Sequence, residues 1–163
     1  MTDQNWNDYL RDLRAELAQA LGEAIWAFAM IERQTYEYMR ALSSEPLHEL
    51  MGGQMFGARM TLIKKLVNRL EGQDDDKAWA LKYIDKAESL VRRRNTIVHN
   101  PWQIWIDFES NSFKSGIKKQ TDEAATIDLK AMREFTAEAR EAASGFEYAL
   151  TQLRTRSHHA RSE

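Results

Sequence analysis

Apolar positions recur at three- and four-residue steps along most of the first hundred residues. Leu10, Leu13, Leu17, Leu21, Ile25, Phe28, Thr35, Met39 and Leu42 trace one face of a long amphipathic helix over about residues 5–42. Gly22 is a mild weak point in it. Ser43-Ser44-Glu45-Pro46 stops that helix and can cap a successor, with Pro46 at its first turn. After Gly52-Gly53, a second helix over about 54–70 is carried by Met55, Leu62, Ile63, Leu66 and Leu70. Gly72 to Asp76 form a polar turn rich in N-cap residues. A third helix then spans about 75–99, because Pro101 disfavours helical geometry at Asn100. Beyond it the period changes to two. Trp102, Ile104, Ile106 and Phe108 alternate with Gln103, Trp105, Asp107 and Glu109, the signature of a strand. Ser110–Ser112 reads as a turn, Phe113–Lys119 as a weaker returning strand, and Gln120–Ala125 as a polar loop. A fourth helix covers about 128–154, and the tail over about 157–163 is expected to fray. The pattern predicts one mainly all-α domain over 1–163. It is an up-down four-helix bundle with a small β-hairpin over about 102–119, between helices three and four.

The composition narrows the function without naming it. With 163 residues the chain can bury a core. It has 23 basic and 25 acidic residues, so a polyanion would have to be met by a local patch rather than a global field. There is no cysteine, hence no disulfide framework and no thiolate site. No apolar run approaches the roughly 18 residues of a membrane span, and the N-terminal stretch lacks an apolar signal core. A cytoplasmic protein without membrane attachment is expected.

The third helix concentrates the candidate chemistry. At about 100° per residue, Trp79, Tyr83, Ile84, Ala87, Leu90, Val91, Ile97 and Val98 fall within one arc about 140° wide. Arg94 falls inside that arc, whereas Arg92 and Arg93 fall outside it, toward solvent with Lys82, Asp85 and Ser89. Asn95 lies at its edge, and His99 follows four residues later, so those two side chains are neighbours. Arg94 and His99 diverge by about 140°. The arginine's length, or a second subunit, is needed to bring them together. A guanidinium, an amide and an imidazole suit a phosphodiester, since they can neutralise, orient and move protons. Two more charges lie on apolar stripes: Glu32 on the first helix and Arg59 on the second. Such a charge needs a partner or a wet cleft. Glu32 can pair with Arg59, with Arg94, or with both. A buried ion cluster that fixes helix register is the expected role of Glu32 and Arg59.

Other chemistries find little footing. No Glu-x-x-His pair of the di-iron type occurs on the long predicted helices. The 4 histidines are too few on those helices for a zinc site. There is no His-Glu-x-x-His, no P-loop and no glycine-rich dinucleotide turn. We therefore expect neither metal nor cofactor. Trp102, Trp105 and Phe108 are read as a cover for the end of the bundle rather than as a base-stacking platform. Arg154, Arg156 and Arg161 are read as solvated residues near a helix end. Arg154 and His159 repeat the spacing of Arg94 and His99, so context must choose between them. Arg94 has an amide directly behind it, an inward position, and a histidine where the helix stops.

The stretch Leu90 to Trp102, LVRRRNTIVHNPW, resembles the signature of HEPN domains, a helical family named for higher eukaryotes and prokaryotes nucleotide-binding. That motif is an arginine, often followed by a polar residue, with a histidine a turn or so later; Arg94, Asn95 and His99 match it. The long first helix with an inward glutamate, the late motif helix and the closing helix are similar in outline, while the hairpin would be an insertion. The resemblance implies a metal-independent endoribonuclease, a toxin or antiviral defence effector, with a composite site on a homodimer interface. Arg94 would neutralise the scissile phosphate. His99 would act as general acid or base, and Asn95 would orient the histidine or the phosphate. Arg92, Arg93 and Lys86, with Lys82, would supply a local RNA track. The implied partners are RNA, a second copy of the chain and an antitoxin protein. The alternative is a non-catalytic HEPN-like module that binds nucleotide, RNA or a partner protein.

Overall fold

The computed structural model describes residues 3–72, 74–107, 109, 112–119 and 122–159. Along them run α1 (Asp3–Leu42), α2 (Leu47–Leu50), α3 (Phe56–Asn68), α4 (Asp74–His99), β1 (Trp102–Asp107), β2 (Ser112–Lys119), β3 (Asp122–Ile127) and α5 (Leu129–His159). The chain is mainly helical, with one antiparallel sheet of order β1-β2-β3. Two compact units share the long helices. The first comprises residues 1–26 and 92–137, the second 27–91 and 138–163. No helix among the described residues is long and apolar enough to cross a membrane.

In the first unit the sheet organises the packing. Trp102 pairs with Ile117, Ile104 with Ser115 and Ile106 with Phe113, so the apolar residues of β1 and β2 share a face. Phe113 meets the edge of Trp6 at 4.9 Å and stacks on Tyr9 at 5.7 Å, which fixes the first turns of α1 against β2. On the other face Lys114 bonds Asp107 at 2.6 Å, and Lys118 lies 4.5 Å from the centre of the Trp105 ring. Gly116 of β2 leaves no room for a side chain beside β3: a Cβ there would approach Thr126 Cγ2 to 2.7 Å. The start of α5 is capped by Asp128, whose Oδ1 accepts from the Ala131 N–H at 2.7 Å.

In the second unit the core is built from α1, α3, α4 and α5 residues that include Phe28, Ile31, Tyr38, Met60, Ile63, Ile84, Leu90 and Phe146. Tyr38 packs on Phe146 with the rings tilted by 37° and their centroids 4.4 Å apart, and donates its hydroxyl to the Phe146 carbonyl at 3.0 Å. Burial pushes the Tyr38 phenol well above its ordinary pKa. Lys64 reaches Asp85 at 2.8 Å and Glu88 at 2.6 Å; their hydrogen bonds, Asp85 first, raise the pKa of its ammonium. Gly72 adopts φ 63° ahead of α4, a conformation glycine takes without strain.

Several expectations change on this fold. The polar loop expected over Gln120–Ala125 gives way to strand β3 from Asp122. Ile117 pairs with Ile127 and Lys118 with Thr126, after which a bulge breaks the register. Backbone pairing along the open edge of β2 makes this strand, and Asp-Glu-Ala-Ala carries almost no alternation to announce it. The insertion is thus a three-stranded meander and not a hairpin. Pro46 leads into a single short turn, α2. The last helix persists to His159 rather than fraying from residue 157. Ile25 is 46% exposed rather than inward, and Met55, Trp79 and Val98 are exposed too. The inner line of α1 instead runs through Leu17, Ala20, Ala24, Ala27 and Ile31. Phe108, the expected turn residues Ser110 and Asn111, and the last four tail residues lie outside the described residues.

Candidate functional site

Arg94, Asn95 and His99 lie in the first unit, on the last turns of α4. Local chemistry ends the helix there. The Thr96 hydroxyl donates to the Arg92 carbonyl at 3.1 Å, and Asn100 Nδ2 donates to the Thr96 carbonyl at 2.9 Å. The second bond occupies one of the carbonyls that a helix C-terminus leaves open. Pro101 prevents a further turn. His99 is therefore the final helical residue, and it is exposed.

The side chains at this end are partly organised. Arg94 is half-buried, and its Nη1 donates to Asn95 Oδ1 at 3.2 Å. Asn95 is exposed and precedes His99 by one turn. The structure thus joins the guanidinium to the amide and leaves the imidazole on the surface beyond them. Five residues of helix separate Arg94 from His99, a rise of about 7.5 Å with about 140° of rotation. Within one chain they form two ends of a short track rather than a closed pocket.

The expected RNA track is less available than the 100° rule suggests. Arg92 is exposed. Arg93, expected to face solvent, is half-buried, with its guanidinium 5.6 Å from the centre of the Phe135 ring. The rule fixes where a side chain leaves the helix; a long arginine then reaches an aromatic face beyond it. Lys86 is held by Glu141 at 2.5 Å, and Lys82 lies 4.9 Å from the centre of the Trp79 ring.

Glu32 and Arg59 meet in the second unit. Arg59 Nη2 lies 3.8 Å from Glu32 Oε1. Only 7% of Arg59 is exposed, and its guanidinium sits 4.8 Å from the Tyr36 ring centre and 5.8 Å from that of Phe56. Its Nε has no hydrogen-bond partner. Two aromatic faces and one carboxylate therefore hold a nearly dehydrated cation, an arrangement suited to fixing α1 against α3.

The sequence did not single out a groove of about 440 Å³ in the first unit, lined by Arg14, Leu17, Ala18, Leu21, Trp102 and Ile104. None of the motif residues lines it. Its one signal in the sequence is the alternation of Trp102 and Ile104, which places both on the face turned to α1. Among the described residues no three His, Asp or Glu side chains form a group that could hold a metal ion. No family model, no curated protein and no solved structure matches the chain.

Proposed function

We propose that the chain is a HEPN-type endoribonuclease whose helices form an up-down four-helix bundle. It acts as a cytoplasmic toxin or defence effector, restrained by an antitoxin protein. The observation that carries this reading is the end of α4: a half-buried Arg94 bonded to Asn95, with an exposed His99 one turn further on. The bond to Asn95 restrains the guanidinium, so less order is lost when it takes a phosphate. An exposed imidazole can exchange protons with a bound nucleic acid.

In the reaction, a histidine removes the proton from the ribose 2′-OH and the oxygen attacks the adjacent phosphorus. The bond from phosphorus to the 5′-oxygen breaks, and that oxygen takes a proton from an acid. The products are a 2′,3′-cyclic phosphate and a 5′-hydroxyl. Arg94 neutralises the charge that builds on the phosphate oxygens. The separation of Arg94 from His99 on one helix is why a homodimer is part of the proposal: a twofold axis sets the arginine of one copy near the histidine of the other.

RNA incubated with the protein in EDTA tests this. Wild type should cut, and Arg94→Ala and His99→Ala should each lose about a hundredfold or more in rate. Equal cutting by all three proteins would reject the assignment. The engagement of Arg93 by Phe135 and of Lys86 by Glu141 favours a second reading, a non-catalytic HEPN-like module that binds a partner protein, nucleotide or RNA. Binding without turnover, unchanged in His99→Ala, is its signature.

A further inference from the structure

The groove of about 440 Å³ in the first unit has the shape of a track with a charge at one end. Arg14, Leu17, Ala18 and Leu21 line it from α1 at i, i+3, i+4 and i+7, the spacing of one helix face. That face rises about 10.5 Å along the helix from Arg14 to Leu21. Trp102 and Ile104, two residues apart on one face of β1, line it from the sheet. The volume falls in the range of small-molecule sites, roughly 300–1,000 Å³. Apart from Arg14 every lining residue is apolar in its bulk, so the groove offers one cation and a long apolar wall.

The cation has no partner of its own. Arg14 is exposed, and its neighbours three and four residues away on α1 are Leu10, Arg11, Leu17 and Ala18, none of them acidic. The acids nearby in sequence are taken. Arg11 holds Asp8 at 3.0 Å and Asp12 at 3.3 Å, and Arg133 holds Glu16 at 2.5 Å. Among the described residues Arg14 has neither an ion-pair nor a hydrogen-bond partner. The Nε1 of Trp102 is buried and has no hydrogen-bond partner either. Folded proteins leave few buried N–H groups in that state. Two donors therefore belong to the walls of one groove, and neither has an acceptor.

These features select the chemistry of an occupant. A neutral apolar molecule would fill the walls and leave the guanidinium in water. A bare anion would meet the guanidinium and leave the walls wet. A molecule with an apolar body and one anionic head uses both, and a carboxylate matches the planar guanidinium through charge-assisted hydrogen bonds. The track is straight, and Leu17, Leu21 and Ile104 make most of its walls, which suits an alkyl chain. We propose that this groove is a binding site for an acyl-chain carboxylate. The carboxylate rests on Arg14, and the chain lies along α1 toward Leu21, against Trp102 and Ile104. The site shares no residue with Arg94, Asn95 and His99 and does not depend on the reading of them.

Calorimetric titration of the full chain with octanoate, octanol and acetate tests it. Octanoate should bind one to one and about fivefold tighter than octanol, the contribution of an exposed ion pair. Acetate, which has the head without the chain, should show no binding at the same concentrations. Arg14→Gln should bring octanoate and octanol to within about twofold of each other by weakening octanoate alone. Ala18→Trp should fill the groove and abolish the binding of both. Arg14 and Ala18 are exposed, so both variants should keep the helix content of wild type. A wild type that does not bind octanoate, a preference for octanoate that survives Arg14→Gln, or an Ala18→Trp protein that binds as well as wild type would each overturn the proposal. The readout is the binding of octanoate, so its failure is distinct from a failure to cut RNA.

Discussion

Gly145→Ala should destabilise this protein, although it removes a glycine from the interior of a helix. On helix propensity alone the change would stabilise α5 by about 1 kcal/mol. The new Cβ, however, would overlap the Tyr83 ring at Cδ1, Cε1 and Cζ. Relief requires that ring to swing away from α5. Tyr83 is half-buried and meets Trp79 edge-on at 5.5 Å. Returning about 100 Å² of ring surface to water costs about 2.5 kcal/mol, and the lost ring contact adds about 0.5–1.5 kcal/mol. The net expectation is a loss of about 2 kcal/mol, or about 4–8 °C in Tm for a chain of this size. Urea and thermal unfolding of Gly145→Ala, Tyr83→Ala and the double variant measure it. With the ring gone the same glycine replacement should stabilise, by about 0.5–1 kcal/mol, so the effect changes sign and the coupling is about 3 kcal/mol. A Gly145→Ala protein more stable than wild type with Tyr83 intact would refute the reasoning.

Tyr38→Phe should cost about 1 kcal/mol near neutral pH through loss of the hydrogen bond to the Phe146 carbonyl. The folded phenol holds its proton above the unfolded value of about 10, so its contribution is fully present below that pH. It is lost as pH rises toward the folded value, at about 1.4 kcal/mol per pH unit. Urea unfolding curves of the two proteins should therefore cross near pH 11, about one unit above the unfolded value; a gap that stays constant to higher pH would contradict the burial of this phenol. At the other cluster, a unit charge pair 3.8 Å apart has a gross attraction of about 4 kcal/mol at an effective dielectric of 20. Glu32→Gln should cost about 2–4 kcal/mol in urea unfolding because it leaves Arg59 buried and poorly paired, while Glu32→Gln with Arg59→Met should return to within about 1 kcal/mol of wild type. A neutral Glu32→Gln would mean that Tyr36 and Phe56 hold the cation unaided.

The helices were legible where bulky side chains recur or a strong stop intervenes. Pro101 ends α4 at His99 as expected, and the alternation from Trp102 to Asp107 gives β1. The core of α1 was harder to read, because Ala20, Ala24 and Ala27 are buried and alanine carries little weight in a search for large apolar residues. Ile25, expected on the inward stripe, lies on the outer face instead. Strand β3 has no signature of its own in the sequence, because it forms by backbone pairing with its neighbour β2. The meeting of Glu32 and Arg59 was readable from two charges on apolar stripes, since burial demands a partner for each. The stacking of Arg93 on Phe135 was not, because it links residues 42 positions apart through a flexible side chain whose end point the helix angle does not fix.

The proposed chemistry has one direct measurement: the ends of the RNA it produces. An RNA carrying a single 2′-deoxynucleotide at a mapped cut site is incubated with wild type in EDTA, beside the all-ribo strand. The ribo strand should yield a 2′,3′-cyclic phosphate and a 5′-hydroxyl, and the deoxy substitution should abolish that one cut and leave the others. Cutting that persists at the deoxy position, or products that end in a 3′-hydroxyl and a 5′-phosphate, would contradict attack by the 2′-oxygen and with it the roles assigned to Arg94 and His99.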